Sequence, residues 1–339
     1  MSDHHKYIII IVGPTAAGKT DFSLNLAQHM RAQIINMDMG QCYTPLTIGT
    51  AKPDWRSMKA PHHLFDLIDE PRNITVVQYR AACVNVMQQI WARGNMPILV
   101  GGSGFYLQSL FFPPFQEENA IKIEPHLDAA TLWETLNAID PHRARLIHPN
   151  DTYRLQRALY IWHSTGKKPS EYMPIYNPPS SYDVYCLTRD RHELYQRIDA
   201  RVLAMMHEGW IDEAKGLLGT PWEDFLRSKK IIGYPDIFDY LSGDLSRRLS
   251  TPSGLASYGR LESQESMQAM IHAIQQKTRN YAKRQMTFWR KLEKDLKNQH
   301  QFYEENKLQN SEIEAISLTL LGVDLYINQL LKKVDTWFA

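Results

Sequence analysis

The sequence predicts an α/β fold in which a doubly wound parallel sheet carries a helical insertion domain. Two short apolar runs, residues 8–12 and 96–100, have the unbroken hydrophobicity of buried strands, and residues 33–37 (QIINM) are predicted to form a further short strand between them. Helical patterns at residues 19–30 and 75–93 separate these runs. Strands that alternate with helices in this way form parallel sheets, because each helix carries the chain back across the sheet.

The first strand leads directly into a phosphate-binding loop. Gly13, Gly18, Lys19 and Thr20 match the pattern G-x-x-x-x-G-K-[ST]. Glycine lets the backbone N–H groups curl around an anion, lysine adds a positive charge, and the threonine hydroxyl is a ligand for Mg²⁺. The positive end of the following helix points at the same anion. We therefore predict a P-loop-type sheet whose loop binds a diphosphate or nucleotide through Gly13, Pro14, Thr15, Ala16, Ala17, Gly18, Lys19 and Thr20.

The composition is that of an ordinary globular protein: 339 residues, 43% hydrophobic, 22% charged, with a formal net charge of +1. Cys42, Cys83 and Cys186 show neither CxxC spacing nor a disulfide framework. They favour a reducing compartment and argue against a cysteine zinc site. No apolar run is long enough to cross a membrane, and the first strand begins too early to leave room for a signal peptide. We expect a cytoplasmic, monomeric protein without a membrane anchor.

Two further groups are expected beside the phosphate loop, because the carboxyl ends of parallel strands meet at one edge of the sheet. Asp38 follows the second strand, and Ser103 lies in a glycine-rich turn after the third. The alternatives are a turn-capping aspartate and a tight strand–helix connection. His62 and His63 have no third partner at metal-ligand spacing, so we interpret them as structural.

Domain boundaries follow changes in composition. A stretch opened by Pro113-Pro114 and closed by residues 177–179 has helical patterns and no strand. Residues 242–263 are rich in Ser, Gly, Pro and Arg and are predicted to be a loop, and a last helical pattern covers 311–333. The predicted domains are a first core segment at 1–112, a helical insertion at 113–180, a second core segment with a basic helix at 181–297, and a tail at 298–339.

The second core segment begins with a predicted strand at 183–187 and a helix at 193–208. Arg197 and Arg201 stand four residues apart on that helix, a spacing that suits two arginines gripping phosphate oxygens. The alternative is a solvated face, because acidic residues lie nearby.

Residues 277–297 hold eight Lys or Arg against two acids, a local net charge of +6. On a helix the basic residues Arg279, Lys283, Arg290, Lys294 and Lys297 share one face, opposite Tyr281, Phe288, Trp289, Leu292 and Leu296. A one-sided cationic ridge favours a nucleic-acid backbone as partner, with solvated surface as the alternative.

Taken together, these motifs resemble the tRNA dimethylallyltransferases, also called tRNA isopentenyltransferases. The matching segments occur in family order over about residues 7 to 290. They are 13–20 (GPTAAGKT), 38–43 (DMGQCY), 48–53 (IGTAKP), 61–63 (PHH), 99–106 (LVGGSGFY), 197–198 with 201–202, 232–234 (IGY), and 281–285 (YAKRQ) with Thr287.

The resemblance implies transfer of a dimethylallyl group from dimethylallyl diphosphate to N6 of the adenosine just 3′ of the tRNA anticodon. It implies that Asp38 is the general base, that Thr15 and Arg201 contact the diphosphate, and that Thr20 and Mg²⁺ neutralise it. Gln41 resembles a reader of the target base, and the insertion would grip the anticodon stem-loop. The implied tRNA-binding residues are Asp38, Met39, Gly40, Gln41, Ser103, Tyr153, Arg154, Leu155, Gln156, Arg157, Lys230, Gly233, Tyr234, Lys283, Arg284, Gln285, Thr287 and Arg290.

The sequence departs from the family pattern at several positions. Met39 replaces a serine, Ser103 a threonine and Pro235 a basic residue, and Phe288-Trp289 inverts the usual order. These changes bear on RNA affinity and rate, since the phosphate loop and Asp38 are retained.

Three other functions fit parts of the sequence. A P-loop kinase for a small metabolite would need a second acidic Mg²⁺ ligand, arginines over the γ-phosphate and an adenine site, for which no clear set is present. A prenyltransferase for free adenylate would have no use for the basic ridge. A nucleotide-switched RNA-binding protein would keep the ridge and reduce Asp38 to a metal ligand or structural residue.

Overall fold

Strand, helix and loop alternate through most of the chain in a computed structural model, which describes residues 6–114, 127–172, 175–243, 263–305 and 312–317. The chain divides into two compact units. The first consists of Met1–Gln108 with Pro179–Ala339, and the second of Ser109–Pro178.

The first unit is built on a six-stranded sheet, and every pair of neighbouring strands is parallel. The parallel sheet predicted from the apolar runs is confirmed. The strand order is β3-β2-β4-β1-β5-β6. The strands are β1 (Tyr7–Val12), β2 (Ala32–Asn36), β3 (His62–His63), β4 (Met96–Val100), β5 (Ser181–Thr188) and β6 (Glu312–Ser317).

The helices predicted at 19–30, 75–93 and 193–208 are present, and the basic segment 277–297 lies within a longer helix. In chain order they are α1 (Lys19–His29), α2 (Val76–Ala92), α3 (Gly104–Phe111), α4 (Ala129–Ile139), α5 (Pro141–Arg145), α6 (Thr152–Thr165), α7 (Arg191–His207), α8 (Trp210–Leu217), α9 (Pro221–Lys229), α10 (Tyr234–Leu241) and α11 (Ser263–Glu305). Two short 3₁₀ helices, Gly40–Cys42 and Ile48–Thr50, lie in the loop after β2. No helix in the described part of the chain is long and apolar enough to cross a membrane.

Both faces of the sheet are covered. Ile9 and Ile11 pack with Phe22 and Leu26 of α1. Ile8, next to them in sequence, points to the other face by the alternation of a strand and is also fully buried. Burial on both faces explains why the strands read as unbroken apolar runs.

A second core of the same unit joins helices α7–α11 to the loop that follows β2. Trp210 of α8 is nearly inaccessible and packs with Tyr43 of the loop, Val202 of α7 and Ile274 of α11. This core holds the loop that carries several predicted site residues.

The second unit is helical. Leu132 and Leu136 of α4 pack with Leu155 and Leu159 of α6. The buried Asp140 accepts hydrogen bonds from backbone N–H groups of Arg143 and Ser170, at 2.9 and 2.7 Å, which fixes the start of α5.

The prediction of a helix at residues 311–333 was wrong for residues 312–317, which form β6 and pair in parallel with β5. Charged and apolar residues alternate at Glu312, Ile313 and Glu314, a strand pattern that is too short to recognise without knowing that β5 offers an open edge. Residues 318–339 and most of the predicted loop at 242–263 lie outside the described residues.

Candidate active site

The phosphate loop joins β1 to α1 with the backbone that its glycines predict. Gly13 and Gly18 have positive φ angles of +143° and +99°. A Cβ on Gly13 would lie 2.4 Å from the carbonyl oxygen of Leu187 in β5, so only glycine fits there. Ala16 also adopts a left-handed conformation, with φ +63°. Arg197 and Arg189 brace this part of the loop, donating to the carbonyls of Ala16 and Ala17 at 3.0 and 2.9 Å.

Lys19 lies inside the phosphate loop. Its Nζ donates to the carbonyl oxygens of Gly13 and Pro14, at 3.0 and 2.8 Å. Burial lowers the pKa of Lys19 to about 8, against the raising effect of the neighbouring Asp38. The lysine is thus placed to meet an anion, and its charge is sensitive to pH.

Asp38 follows β2 and faces the same cleft. Its Oδ1 accepts a hydrogen bond from the backbone N–H of Gly40 at 2.9 Å. Burial raises the pKa of Asp38 above the ordinary aspartate value, while Lys19, the Gly40 N–H and Arg201 oppose that rise. A carboxylate of raised basicity at a cleft is suited to accepting a proton.

Two chambers meet at Asp38. The first has a cavity volume of about 520 Å³ and is lined by the phosphate loop, Gln41 and Arg197. The second measures about 410 Å³. Apolar side chains on its wall are Met39, Ile198, Val202, Met205, Trp210, Ile231 and Ile232. Both chambers are lined by Thr15, Asp38, Thr50, Ala51 and Arg201. Predicted diphosphate and base contacts therefore share one cleft with an apolar extension.

The amide of Gln41 is held in one orientation. Its Nε2 donates to the carbonyl oxygens of Thr50 and Ala51, at 3.1 and 3.2 Å. The Oε1 of Gln41 is therefore the atom left to accept a hydrogen bond from a ligand.

Gln285 has a structural connection that the sequence did not reveal. From α11, its Oε1 accepts the backbone N–H of Thr15 at 2.9 Å, and its Nε2 donates to the Gly102 carbonyl at 3.1 Å. A Cβ on Gly102 would lie 2.1 Å from that Nε2. Gln285 thus ties the phosphate loop to the turn after β4, where the predicted site residue Ser103 lies.

Glu213 of α8 is a residue that the sequence reasoning missed. Its carboxylate accepts hydrogen bonds from the backbone N–H groups of Thr47, Ile48 and Gly49, at 2.7 to 3.0 Å. The partners lie more than 160 residues earlier in the chain, so no local pattern marks the pairing. Glu213 therefore holds the loop segment whose next two carbonyls orient Gln41.

Tyr234 and Gly233 belong to this support. The Tyr234 side chain is fully buried, and its hydroxyl donates to Glu213 at 2.7 Å. A Cβ on Gly233 would lie 2.1 Å from the Trp210 ring. The structure gives both residues a packing role and does not offer the Tyr234 side chain to a ligand.

The other residues predicted to contact tRNA fall into two groups. In the first unit, Lys230 is exposed at the second chamber. Lys283, Arg284, Thr287 and Arg290 are exposed on α11. In the second unit, Tyr153, Arg154 and Arg157 are exposed on α6 and Gln156 is half-buried, whereas Leu155 is buried in the helical core.

The basic ridge of α11 is narrower than the helical projection predicted. Arg279 forms an ion pair with Asp199 of α7, and Lys297 pairs with Glu293 at 2.8 Å. Arg279 was therefore wrongly placed on a free cationic face, because its partner comes from another helix. Exposed Lys283, Arg290 and Lys294 remain as the ridge.

The two neighbouring histidines have protein partners. His62 Nδ1 lies 2.6 Å from the Ala60 carbonyl oxygen, and His63 Nε2 lies 2.7 Å from Gln33 Oε1. Among the described residues no group of three His, Cys, Asp or Glu side chains is arranged to hold a metal ion. His63 thus links β3 to β2, and His62 binds the loop that precedes β3.

The sequence profile of the IPP transferase family matches residues 41–292 of the chain. The chain belongs to this family. It is 34% identical over 296 residues to the tRNA dimethylallyltransferase of Petrotoga mobilis, a match that covers 84% of this chain and 91% of that protein. The tRNA dimethylallyltransferase of Bacillus subtilis is also 34% identical, with 86% and 90% covered.

Solved structures of the family have the same fold. The crystal structure of a full-length tRNA isopentenylpyrophosphate transferase from Bacillus halodurans aligns with a TM-score of 0.62 and 27% identity, covering 98% of this chain and 96% of that one. A eukaryotic dimethylallyltransferase captured acting on tRNA aligns with a TM-score of 0.68 and 26% identity, covering 93% and 74%.

Proposed function

We propose that this family member transfers a dimethylallyl group from dimethylallyl diphosphate to N6 of the adenosine 3′-adjacent to the anticodon of tRNA. The observation that carries the proposal is the position of Asp38, where a phosphate-binding chamber meets a partly apolar one. A donor with an anionic head and an acceptor base approach one carboxylate from two sides in such a cleft.

The residues then take defined roles. The phosphate-loop N–H groups, Lys19 and Arg201 hold the diphosphate and stabilise the negative charge that grows on it. N6 of the adenosine attacks the first carbon of the allyl group, and the carbon–oxygen bond breaks with its electron pair leaving on the diphosphate. Asp38 takes the proton that N6 loses, and Gln41 Oε1 accepts a hydrogen bond from the amino group.

Binding of Mg²⁺ is part of this proposal. Thr20, which carries a hydroxyl, and Asp21, which carries a carboxylate, both line the chamber beside the phosphate loop. These donors fit an ion that takes most of its remaining ligands from substrate phosphates and water, as Mg²⁺ commonly does. When bound, Mg²⁺ would add to the neutralisation of the leaving diphosphate.

Mass spectrometry of the tRNA tests the function. Unmodified tRNA is incubated with the protein, Mg²⁺ and dimethylallyl diphosphate, and in parallel with ATP alone. We expect a dimethylallyl mass gain on the adenosine next to the anticodon. No gain is expected when that base is guanosine or when the Asp38→Asn variant is used in place of the unaltered protein. ATP consumption without a gain in tRNA mass would instead support a kinase or switch.

A further inference from the structure

An aromatic pair, formed by the exposed Phe105 and the half-buried Phe288, lies at the carboxyl edge of the sheet. Phe105 is the second residue of α3, and its side chain is 64% exposed. Phe288 extends from α11, and the two ring centroids lie 5.2 Å apart with the planes inclined by 55°. Contact with Phe288 restricts the motion of the exposed ring, so the pair presents a defined aromatic surface.

The backbone makes room for this pair. A Cβ on Gly104 would lie 2.1 Å from Cδ1 of Phe288, so the absence of a side chain there allows the ring to rest against the turn. Phe288 also lines a small cavity with Gly13, Ser103 and Gln285. The aromatic pair therefore stands directly beside the phosphate loop and the turn after β4.

Positively charged residues lie near Phe288 on α11. Arg284 and Lys291 lie four residues before and three residues after Phe288 on α11, which places them on the same side of the helix. Both are exposed. Lys291 and the adjacent Arg290 have no acidic side chain at ion-pairing distance among the residues that the structure describes. An exposed phenyl ring beside exposed cations matches single-stranded RNA, whose phosphates attract cations and whose bases stack on aromatic rings.

We propose that the aromatic pair is a stacking platform for an unpaired base of the substrate RNA, one that flanks the adenosine entering the cleft. This rests on the proposed function. An adenosine that leaves its base stack deprives its neighbours of a stacking partner. Phe105 would supply the missing surface to one neighbour, holding the loop open while the target base lies beside Asp38.

The test separates aromatic stacking from simple apolar contact. An anticodon stem-loop carrying 2-aminopurine on either side of the target adenosine is titrated with the protein, and its fluorescence reports stacking. Phe105→Leu keeps an apolar side chain without the ring, and Phe105→Tyr keeps the ring. Phe288→Leu repeats the test on the second ring of the pair. The matched control is Val77→Ala, because Val77 is an exposed apolar residue of α2.

We expect a fluorescence change at one flanking position with the unaltered protein. Either leucine variant should lose that change and weaken RNA binding about 5- to 100-fold. Phe105→Tyr and Val77→Ala should bind within about twofold of the unaltered protein, because the first keeps the ring and the second is an ordinary surface substitution. Affinity for inorganic diphosphate should be the same in all variants.

Three results would overturn the platform. One is equal RNA affinity of Phe105→Leu and Phe105→Tyr, and a second is a parallel loss of diphosphate affinity, which would indicate a packing role. The third is a change of oligomeric state with RNA binding intact, since the surface would then belong to a protein contact. All readouts are binding measurements that do not depend on prenyl transfer. A failure of the platform can therefore be distinguished from a failure of the proposed function.

Discussion

Asp38 and Lys19 carry opposite charges, and burial shifts their pKa values in opposite directions. Burial raises the pKa of Asp38 and lowers the pKa of Lys19 to about 8. Each residue has the other as an opposite charge nearby, which limits its shift. The pair gives the reaction an acidic and an alkaline limit.

The pH dependence of kcat/KM checks this pair. Asp38 must be ionised to accept a proton, so activity rises as the pH increases through its raised pKa. Lys19 must be protonated to hold the diphosphate, so activity falls again as the pH increases through about 8. Because kcat/KM reports the free enzyme, a bell-shaped profile is expected. Lys19→Arg should remove the alkaline limb, and a variant with an unchanged limb would exclude Lys19 as its cause.

Gln285 gives a second test at the level of a single side chain. Gln285→Ala leaves the Thr15 N–H and the Gly102 carbonyl without their partner. Misplacing the phosphate loop should lower kcat about 10- to 100-fold while tRNA affinity changes little. Gln276→Ala, an exposed glutamine of the same helix, is the control. A large loss of tRNA affinity with normal kcat would instead support the direct tRNA contact that the family resemblance implies.

The sequence was sufficient to find the phosphate loop and Asp38, because a motif and a strand end are local features. It was insufficient for Gln285 and Glu213, whose roles depend on backbone groups far away in the chain. Tyr234 shows that a local motif also cannot reveal whether a side chain is buried. The family resemblance at residues 232–234 implied a tRNA contact, and the fold buries the Tyr234 side chain, whose hydroxyl donates to Glu213.

At the scale of elements, α11 contacts several other parts of the fold. Arg279 pairs with α7, Gln285 holds the phosphate loop, and Phe288 packs against Phe105 of α3. Lys283, Arg290 and Lys294 remain exposed as the ridge for which an RNA partner is proposed. Helical projection predicted the ridge but could not distinguish its tertiary ion pairs, just as periodicity did not find β6.

Two arginines of α11 separate RNA binding from stability. Arg290→Ala should weaken tRNA binding and reduce the slope of log affinity against log salt by about 1. Arg279→Ala should leave that slope unchanged and lower the free energy of unfolding by about 0.5–1 kcal/mol, because its ion pair is partly exposed. Salt titrations and urea denaturation measure the two effects. Identical slopes for both variants would remove Arg290 from the RNA interface.

The role of α8 in holding the loop after β2 can be tested by replacing Glu213. Glu213→Ala leaves three backbone N–H groups and the Tyr234 hydroxyl without an acceptor. We expect the free energy of unfolding to fall by about 2 kcal/mol or more and KM for tRNA to rise, because Gln41 is oriented by the same loop. Asp212→Asn, an exposed acid beside it, is the control. Normal KM in a destabilised Glu213→Ala variant would limit the residue to stability.

At the scale of the whole molecule, the parallel sheet gathers residues from distant parts of the chain. The phosphate loop follows β1, Asp38 follows β2 and Ser103 follows β4, and all three strands end at one edge. This convergence was predictable, because strand direction in a parallel sheet determines where each strand ends. The contributions of α8 and α11 were not predictable from the sequence, because they depend on how these helices pack over that edge.

Ligand linkage tests the site through the stability of the whole fold. Inorganic diphosphate with Mg²⁺ at about 100 times its dissociation constant should stabilise the folded state by about 2.7 kcal/mol, seen as a higher Tm. Lys19→Ala should abolish the gain. Chelating Mg²⁺ should reduce it, and an equal gain with and without chelator would remove the metal from diphosphate binding.

The pairing of β5 with β6 bears on how the protein is made. The outer edge of β5 remains uncovered until residues 312–317 have emerged from the ribosome, long after the other five strands. Until β6 is added, β5 is an edge strand whose backbone groups can pair with another chain. We therefore expect nascent chains that end before residue 312 to be more prone to aggregation than the full chain.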